Sequence, residues 1–301
     1  MDEPSKSLHG YKIINKITDN SRFSTYHVDQ DDKHFFLKCA KSGFERNLAN
    51  DVWWSMTLNR IAEGKPKIGI RAPNVVEAHN DWVVFEWIDG KELALPSSDD
   101  STLLSHVPYL SELLYQLDSV LQVDIDRNPF VEKSDSAPYT LLNTKWPQWT
   151  ELPLKQGFIT ELDVSHADTL VRDWAVHVRA GLAHGDFSPW HILVNHHEKV
   201  LIDGDHSSIV KPRYYDLAYI YSRLFSRNSA KQATARLLKD FIAKIDIPKD
   251  DFAKAFIPVL TSRAIGVCND ASRDLGSGND YREEAAELLQ RCLKKDIGEL
   301  T

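Results

Sequence analysis

Cysteine is scarce. Cys39, Cys268 and Cys292 are spread over 301 residues, and no two form a CxxC pair. A zinc knuckle and a disulfide framework are thereby excluded, and a reducing compartment is the expected setting. Glycine and proline, 13 of each, are too few for a collagen-like or low-complexity chain. No apolar run approaches the roughly 18 residues of a membrane span, so no membrane partner is expected. The start, Met1-Asp2-Glu3-Pro4-Ser5-Lys6, has neither a basic stretch nor an apolar run. The expectation is a cytoplasmic protein without a secretory signal. Positive charge is the minority, 36 Lys and Arg against 44 Asp and Glu, for a net charge of −8. A non-specific nucleic-acid binder needs a basic face to displace counterions, so no nucleic-acid partner is expected either.

Aromatic residues, by contrast, are plentiful. Eight Trp, 10 Tyr and 12 Phe supply a core and exclude disorder. The first forty residues read as strands: Tyr11 to Ile17 alternates loosely, Ser24 to Val28 follows a polar turn, and His34 to Ala40 is a compact apolar run. Phe44 to Ala62 follows as a helix, then short strands over Asn74 to Ala78 and Trp82 to Trp87. Asp89-Gly90 breaks the pattern, and beyond it helices dominate. They are expected at Ser101 to Val123, at Asp168 to Ala180, and at about 215–226, 229–244, 250–268 and 280–296. Two short strands, Ile192 to Val194 and Lys199 to Ile202, flank a polar turn that holds His196 and His197. Asn128 to Thr160, with Trp146 and Trp149, follows no clear period. The expected organisation is a β-rich part at 1–88 and a helical part at 89–301, with a ligand cleft between them.

Chemistry concentrates in one stretch. His184-Gly185-Asp186 sits on a tight loop, and the apolar strand Val200-Leu201-Ile202 ends in Asp203-Gly204-Asp205. Two acids on such a loop and such a strand end suit a metal-phosphate site, because Mg²⁺ prefers carboxylate oxygen together with phosphate. Phosphoryl transfer needs a base to place the attacking hydroxyl and a metal to neutralise charge.

The run from His184 to Leu193 resembles the catalytic loop of aminoglycoside phosphotransferases and related small-molecule kinases. That loop is His-Gly-Asp, four variable residues, then Asn. Leu201-Ile202-Asp203-Gly204-Asp205 is similar to their metal-binding strand end. Pro212-Arg213-Tyr214-Tyr215-Asp216-Leu217-Ala218 is similar to their Pro-x-x-x-Asp-Leu-Ala stretch. Upstream, His34-Phe35-Phe36-Leu37-Lys38 resembles the strand whose lysine grips nucleotide phosphates. Val84 to Gly90 resembles the hinge strand.

The resemblance implies a two-lobed α+β protein-kinase-like fold, with a small antiparallel N-lobe sheet and a larger helical C-lobe. It implies a phosphotransferase moving the γ-phosphoryl of ATP, or of another nucleoside triphosphate, to the hydroxyl of an aminoglycoside, amino alcohol or sugar. Asp186 is then the catalytic base. Lys38, Ser21, Ser24, Glu86 and Ile88 hold the nucleotide. Asp203, His191 and Asp205 hold Mg²⁺ or Mn²⁺. His184 and Asp216 support the loop, and Asp51 or Glu45 pairs with Lys38. Two departures stand out. His191 occupies the family's Asn position, and the nucleotide-covering loop from Thr18 to Ser24 has no glycine. These departures define the alternative, a nucleotide-binding pseudokinase with a regulatory or interaction role. A metal-dependent hydrolase using His184, Asp186, His191, Asp203 and His206 is the third reading.

Overall fold

Alternating apolar residues at the start of the chain build a six-stranded antiparallel sheet in the computed structural model. The structure describes residues 7–64, 69–120, 138–195, 198–274 and 280–300. The strands are β1 (Ser7–Leu8), β2 (Tyr11–Asp19), β3 (Phe23–Gln30), β4 (Lys33–Ala40), β5 (Val75–Ala78) and β6 (Trp82–Glu86), in the order β1-β2-β3-β4-β6-β5. The β3–β4 turn is two residues long. Asp31 and Asp32 both take a positive φ, the mirror-image turn whose twist matches that of the strands.

The period of two then sorts the side chains. Tyr11, Val28, Leu37, Trp82 and Val84 pack on one face. Phe23, Val83 and Phe85 pack on the other, against Leu48 of helix α1 (Glu45–Gly64). Lys38 falls between Phe36 and Ala40, on the face that α1 covers.

The chain divides into two compact units. The first runs to Leu93 and takes in Trp190–Ser207; the second comprises Ala94–Pro189 and Ser208 onward. Within the first unit, β9 (Ile192–Val194) pairs with β10 (Lys199–Leu201) and with the two-residue β7 (Lys91–Glu92). The second unit is mainly helical: α2 (Asp100–Val120), α3 (Pro138–Asn143), α4 (Trp146–Gln156), α5 (Glu161–Trp174), α6 (Tyr215–Ser226), α7 (Lys231–Ile242), α8 (Lys249–Arg273) and α9 (Arg282–Leu293). It also carries the antiparallel pair β8 (Ala180–Ala183) and β11 (Ser208–Pro212). No helix among the described residues is long and apolar enough to cross a membrane.

Two expectations are corrected here. The helix placed at Asp168 to Ala180 begins at Glu161 and ends at Trp174. Thr160 and Asp163 form a reciprocal capping box that fixes its start, and the residues from Ala180 leave to pair as a strand. The aperiodic stretch contains α3 and α4. Trp146, Thr150 and Pro153 are buried at helical spacing, and Gly157 closes α4 with a left-handed φ of 76°. Pro147 in the first turn and Pro153 further on disguised that pattern. The His196–His197 turn, residues 121–123 of the expected helix and residues 128–137 lie outside the described residues.

Candidate functional site

The first unit encloses a cavity of about 480 Å³. Phe23, Phe36 and Phe85 give it apolar walls, Trp87 and Ile88 line it beyond the end of β6, and Lys38 and Asp203 supply charge. Such a mix of apolar wall and a few placed polar groups is what small-molecule sites use.

Lys38 is 4% exposed, yet its ammonium is doubly paired. Nζ donates to Asp51 Oδ2 at 2.7 Å and to Asp203 Oδ1 at 2.8 Å, and it stands 4.4 Å from the centre of the Phe23 ring. Burial acts to lower the pKa of Lys38. The carboxylates of Asp51 and Asp203 outweigh it and hold the group charged, well above its ordinary value. Asp51 is therefore the partner that the sequence left open between two acids. Glu45 instead accepts from the backbone N–H of Gly43 at 2.9 Å.

Asp51 also fixes the strand end. Its Oδ1 accepts from the backbone N–H of Gly204 at 2.9 Å. Gly204 lies so close to α1 that an added Cβ would sit 2.6 Å from the Trp54 side chain. Gly204→Ala is expected to destabilise the protein by about 1–3 kcal/mol, since the buried indole has nowhere to move. The check is a fall in the midpoint of denaturant unfolding.

Asp203 has a φ of 64°, a left-handed conformation that Asp tolerates better than most residues. One carboxylate oxygen faces Lys38, and the other lies 4.0 Å from Nε2 of His191. A carboxylate and an imidazole side by side can hold a divalent cation. Asp205 behaves differently from its neighbour. It is fully buried, and its Oδ2 accepts from Arg22 at 2.8 Å. The sequence offered it as a further metal ligand; the fold ties its Oδ2 to the β2–β3 loop and buries Oδ1 without a hydrogen bond among the described residues.

Burial, followed by the charge of Asp203, pushes Asp205 up to about 7. In the unfolded chain it would titrate near the usual carboxylate value of about 4. The folded state thus binds the extra proton between these values. The Asp205 contribution to stability should fall as pH rises from about 4 to about 7 and level off above that. The difference in unfolding free energy between the wild type and Asp205→Asn, measured on the metal-free protein, should therefore change in that sense across the range and be flat above it.

The glycine-free loop has its own anchor. Asn20 Oδ1 accepts from the backbone N–H groups of Arg22 and Phe23, both at 2.8 Å, a local turn of the kind asparagine favours. Asn20 and Arg22 line the cavity, as do Thr18 and Thr25, whose hydroxyls are 2.8 Å apart. Ser21 is exposed and Ser24 donates to Asp19 at 2.9 Å; neither lines the cavity. Glu86 lines it too, but its carboxylate is bound to Arg71 and Asn74. Sequence reasoning missed Asn20 and Arg22. The signal for Asn20 was an asparagine opening a turn between two strands.

In the second unit, β8 leads into the His184-Gly185-Asp186 loop. Gly185 has a φ of 87°, which a residue with a side chain adopts only under strain. Asp216, one residue into α6, accepts from the backbone N–H groups of His184 and Gly185, both at 2.8 Å. His184 is fully buried, and its Nδ1 lies 3.4 Å from the backbone nitrogen of Asp186. The side chain of Asp186 is half-buried and hydrogen-bonded to the Tyr219 hydroxyl. The loop motif and the Pro-x-x-x-Asp-Leu-Ala motif are thus one hydrogen-bonded device that presents a carboxylate.

Solved structures with this architecture carry the protein-kinase-like fold. A thermostable variant of the aminoglycoside phosphotransferase APH(4)-Ia, in a ternary complex with ADP and hygromycin B, superposes with a TM-score of 0.61 at 13% identity. The match covers 95% of this chain and 96% of that one. The ethanolamine kinase of Plasmodium vivax gives 0.59 at 13% identity, covering 95% and 84%. The choline kinase of Cryptosporidium parvum gives 0.59 at 12% identity, covering 95% and 89%. A comparison with curated proteins gives no match. The profile of the phosphotransferase enzyme family matches residues 13–251, a span that contains the paired Lys38, the Asp186 loop, Asp203 and Asp216. The chain belongs to that family, and it is a phosphotransferase.

Proposed function

We propose that the chain is an ATP-dependent kinase of a small-molecule alcohol. The observation that carries this reading is Lys38, buried and clamped between Asp51 and Asp203 beside an aromatic-walled cavity of about 480 Å³. An ammonium so held is preorganised for phosphate oxygens, and the aromatic walls suit a nucleobase. Glu86 and Ile88 would meet the base through their backbone, because the Glu86 side chain is already engaged.

In the proposed step, a lone pair of the acceptor hydroxyl oxygen attacks Pγ of ATP. The new O–Pγ bond forms as the Pγ–O bond to the β-phosphate breaks, and ADP leaves with that electron pair. Asp186 takes the hydroxyl proton and returns it to solvent. Tyr219, hydrogen-bonded to Asp186, orients the carboxylate. Lys38 binds the phosphates. Asp203 and His191 fit a divalent cation, which when bound would neutralise charge on the transferring phosphoryl.

Imidazole favours the later transition metals over Mg²⁺. His191→Asn should therefore raise Mg²⁺-supported turnover relative to Mn²⁺-supported turnover. An unchanged Mg²⁺/Mn²⁺ ratio would remove His191 from the metal site.

ATP consumption across aminoglycosides, amino alcohols, sugars and nucleosides, run beside thermal shifts with ATP and Mg²⁺ or Mn²⁺, tests the reading. ATP-dependent phosphorylation of an alcohol supports it. A nucleotide shift with no turnover on any acceptor would instead favour the pseudokinase, a reading that family membership does not favour. A tightly bound transition metal with no nucleotide shift would point to a metal-dependent hydrolase.

A further inference from the structure

The second unit gathers cations beside Asp186. Tyr219, whose hydroxyl is bonded to Asp186, is also bonded from the other side. Arg223, one turn further along α6, reaches the same hydroxyl through Nε at 3.3 Å and Nη2 at 3.1 Å. Arg263 of α8 lies over the Tyr219 ring at 4.7 Å, with Tyr215 and Trp149 at 5.7 and 5.4 Å from its guanidinium carbon. Lys211 stands 4.2 Å from the centre of the Tyr215 ring.

The acids facing these cations are Asp186, Asp216 and Asp270. Asp270 serves both arginines, at 3.2 Å from Nη2 of Arg223 and 4.0 Å from Nη2 of Arg263. Asp216 accepts from the loop backbone and also interacts electrostatically with Lys211. Arg263 is 5% exposed, and its one hydrogen bond among the described residues is from Nη1 to the Tyr215 hydroxyl at 3.3 Å. Its Nε is buried without a partner. A guanidinium carries five donors, and leaving them unmade in a buried place is costly.

We propose that the acceptor alcohol carries an oxyanion, a carboxylate or a phosphate, bound by Arg263 and Arg223 while its hydroxyl meets Asp186. The planar fork of arginine suits either group, and the aromatic rings hold the fork in place. This inference rests on the kinase reading, with Asp186 as the group that places the hydroxyl. It narrows the acceptor away from the amino alcohols and aminosugars. The phosphoryl step is the one already written; only the handle on the acceptor is new.

The test compares ADP release by the full chain with ATP and four acceptors of similar size: glycerate, glycerol 3-phosphate, glycerol and ethanolamine. One of the two anionic alcohols should exceed both others in kcat/KM by about 10²-fold or more, and which one identifies the oxyanion. Arg263→Met should then raise KM for that acceptor by about tenfold or more, with the KM for ATP unchanged, and Arg263→Lys should recover part of the loss. The wild-type comparison stands even if the methionine variant folds poorly. Preference for ethanolamine or glycerol overturns the inference and leaves the kinase reading in place, as does an unchanged acceptor KM in Arg263→Met. Turnover of none of the four, with an aminoglycoside or nucleoside phosphorylated instead, also overturns it. Turnover of no acceptor at all overturns both.

Discussion

Asp186→Asn is expected to lower turnover by about 10²–10⁴-fold while the affinity for ATP stays near that of the wild type, the range that loss of a general base produces. The asymmetry follows from the residue's place. Asp186 sits on a loop fixed by Asp216 and is bonded to Tyr219, whereas Lys38, Asp51 and Asp203 surround the cavity of the first unit. The amide keeps the shape and can still accept from Tyr219, so the loop should hold. Only the capacity to take a proton is lost. Single-turnover kinetics and ATP titration on the same preparation check both halves. Turnover near the wild-type rate would remove Asp186 from the chemistry.

Asp203→Ala is expected to stop metal-supported transfer, by roughly 10²–10³-fold or more, and to abolish the extra thermal stabilisation that Mg²⁺ adds to ATP. Lys38 would keep Asp51 at 2.7 Å, so its charge remains compensated and the fold should survive. The effect should therefore appear in the metal response and not in the stability of the free protein. If ATP with Mg²⁺ stabilises the variant as much as it stabilises the wild type, Asp203 does not hold the metal.

Local patterns made much of this legible. The strands of the first unit announce themselves by apolar runs between polar turns; three ordered motifs led to the fold and to Asp186, Asp203 and Asp216, and a separate upstream resemblance led to Lys38. What stayed hidden has physical causes. Trp190–Ser207 belongs with the first unit by tertiary contacts that its distance in the chain conceals. Pro147 and Pro153 masked α4, because each is tolerated only in a particular helical context. Asp205 read as a partner of Asp203, yet the Arg22 that claims it lies 183 positions away in the sequence. The choice between Asp51 and Glu45 turned on which face of α1 meets Lys38. Arg223, Arg263 and Asp270 gave no motif at all, since two helices far apart in the chain bring them together.

If the chain is an alcohol kinase, the phosphoryl group lost from ATP must appear on the acceptor. The most direct measurement incubates the protein with ATP, Mg²⁺ or Mn²⁺ and the panel of acceptor alcohols, then follows ADP and the acceptor together by mass spectrometry. An acceptor heavier by one phosphoryl group is expected, formed in equal amount to ADP and lost in Asp186→Asn. ADP with inorganic phosphate as the sole products, or a phosphorylated acceptor that persists undiminished in Asp186→Asn, would contradict it.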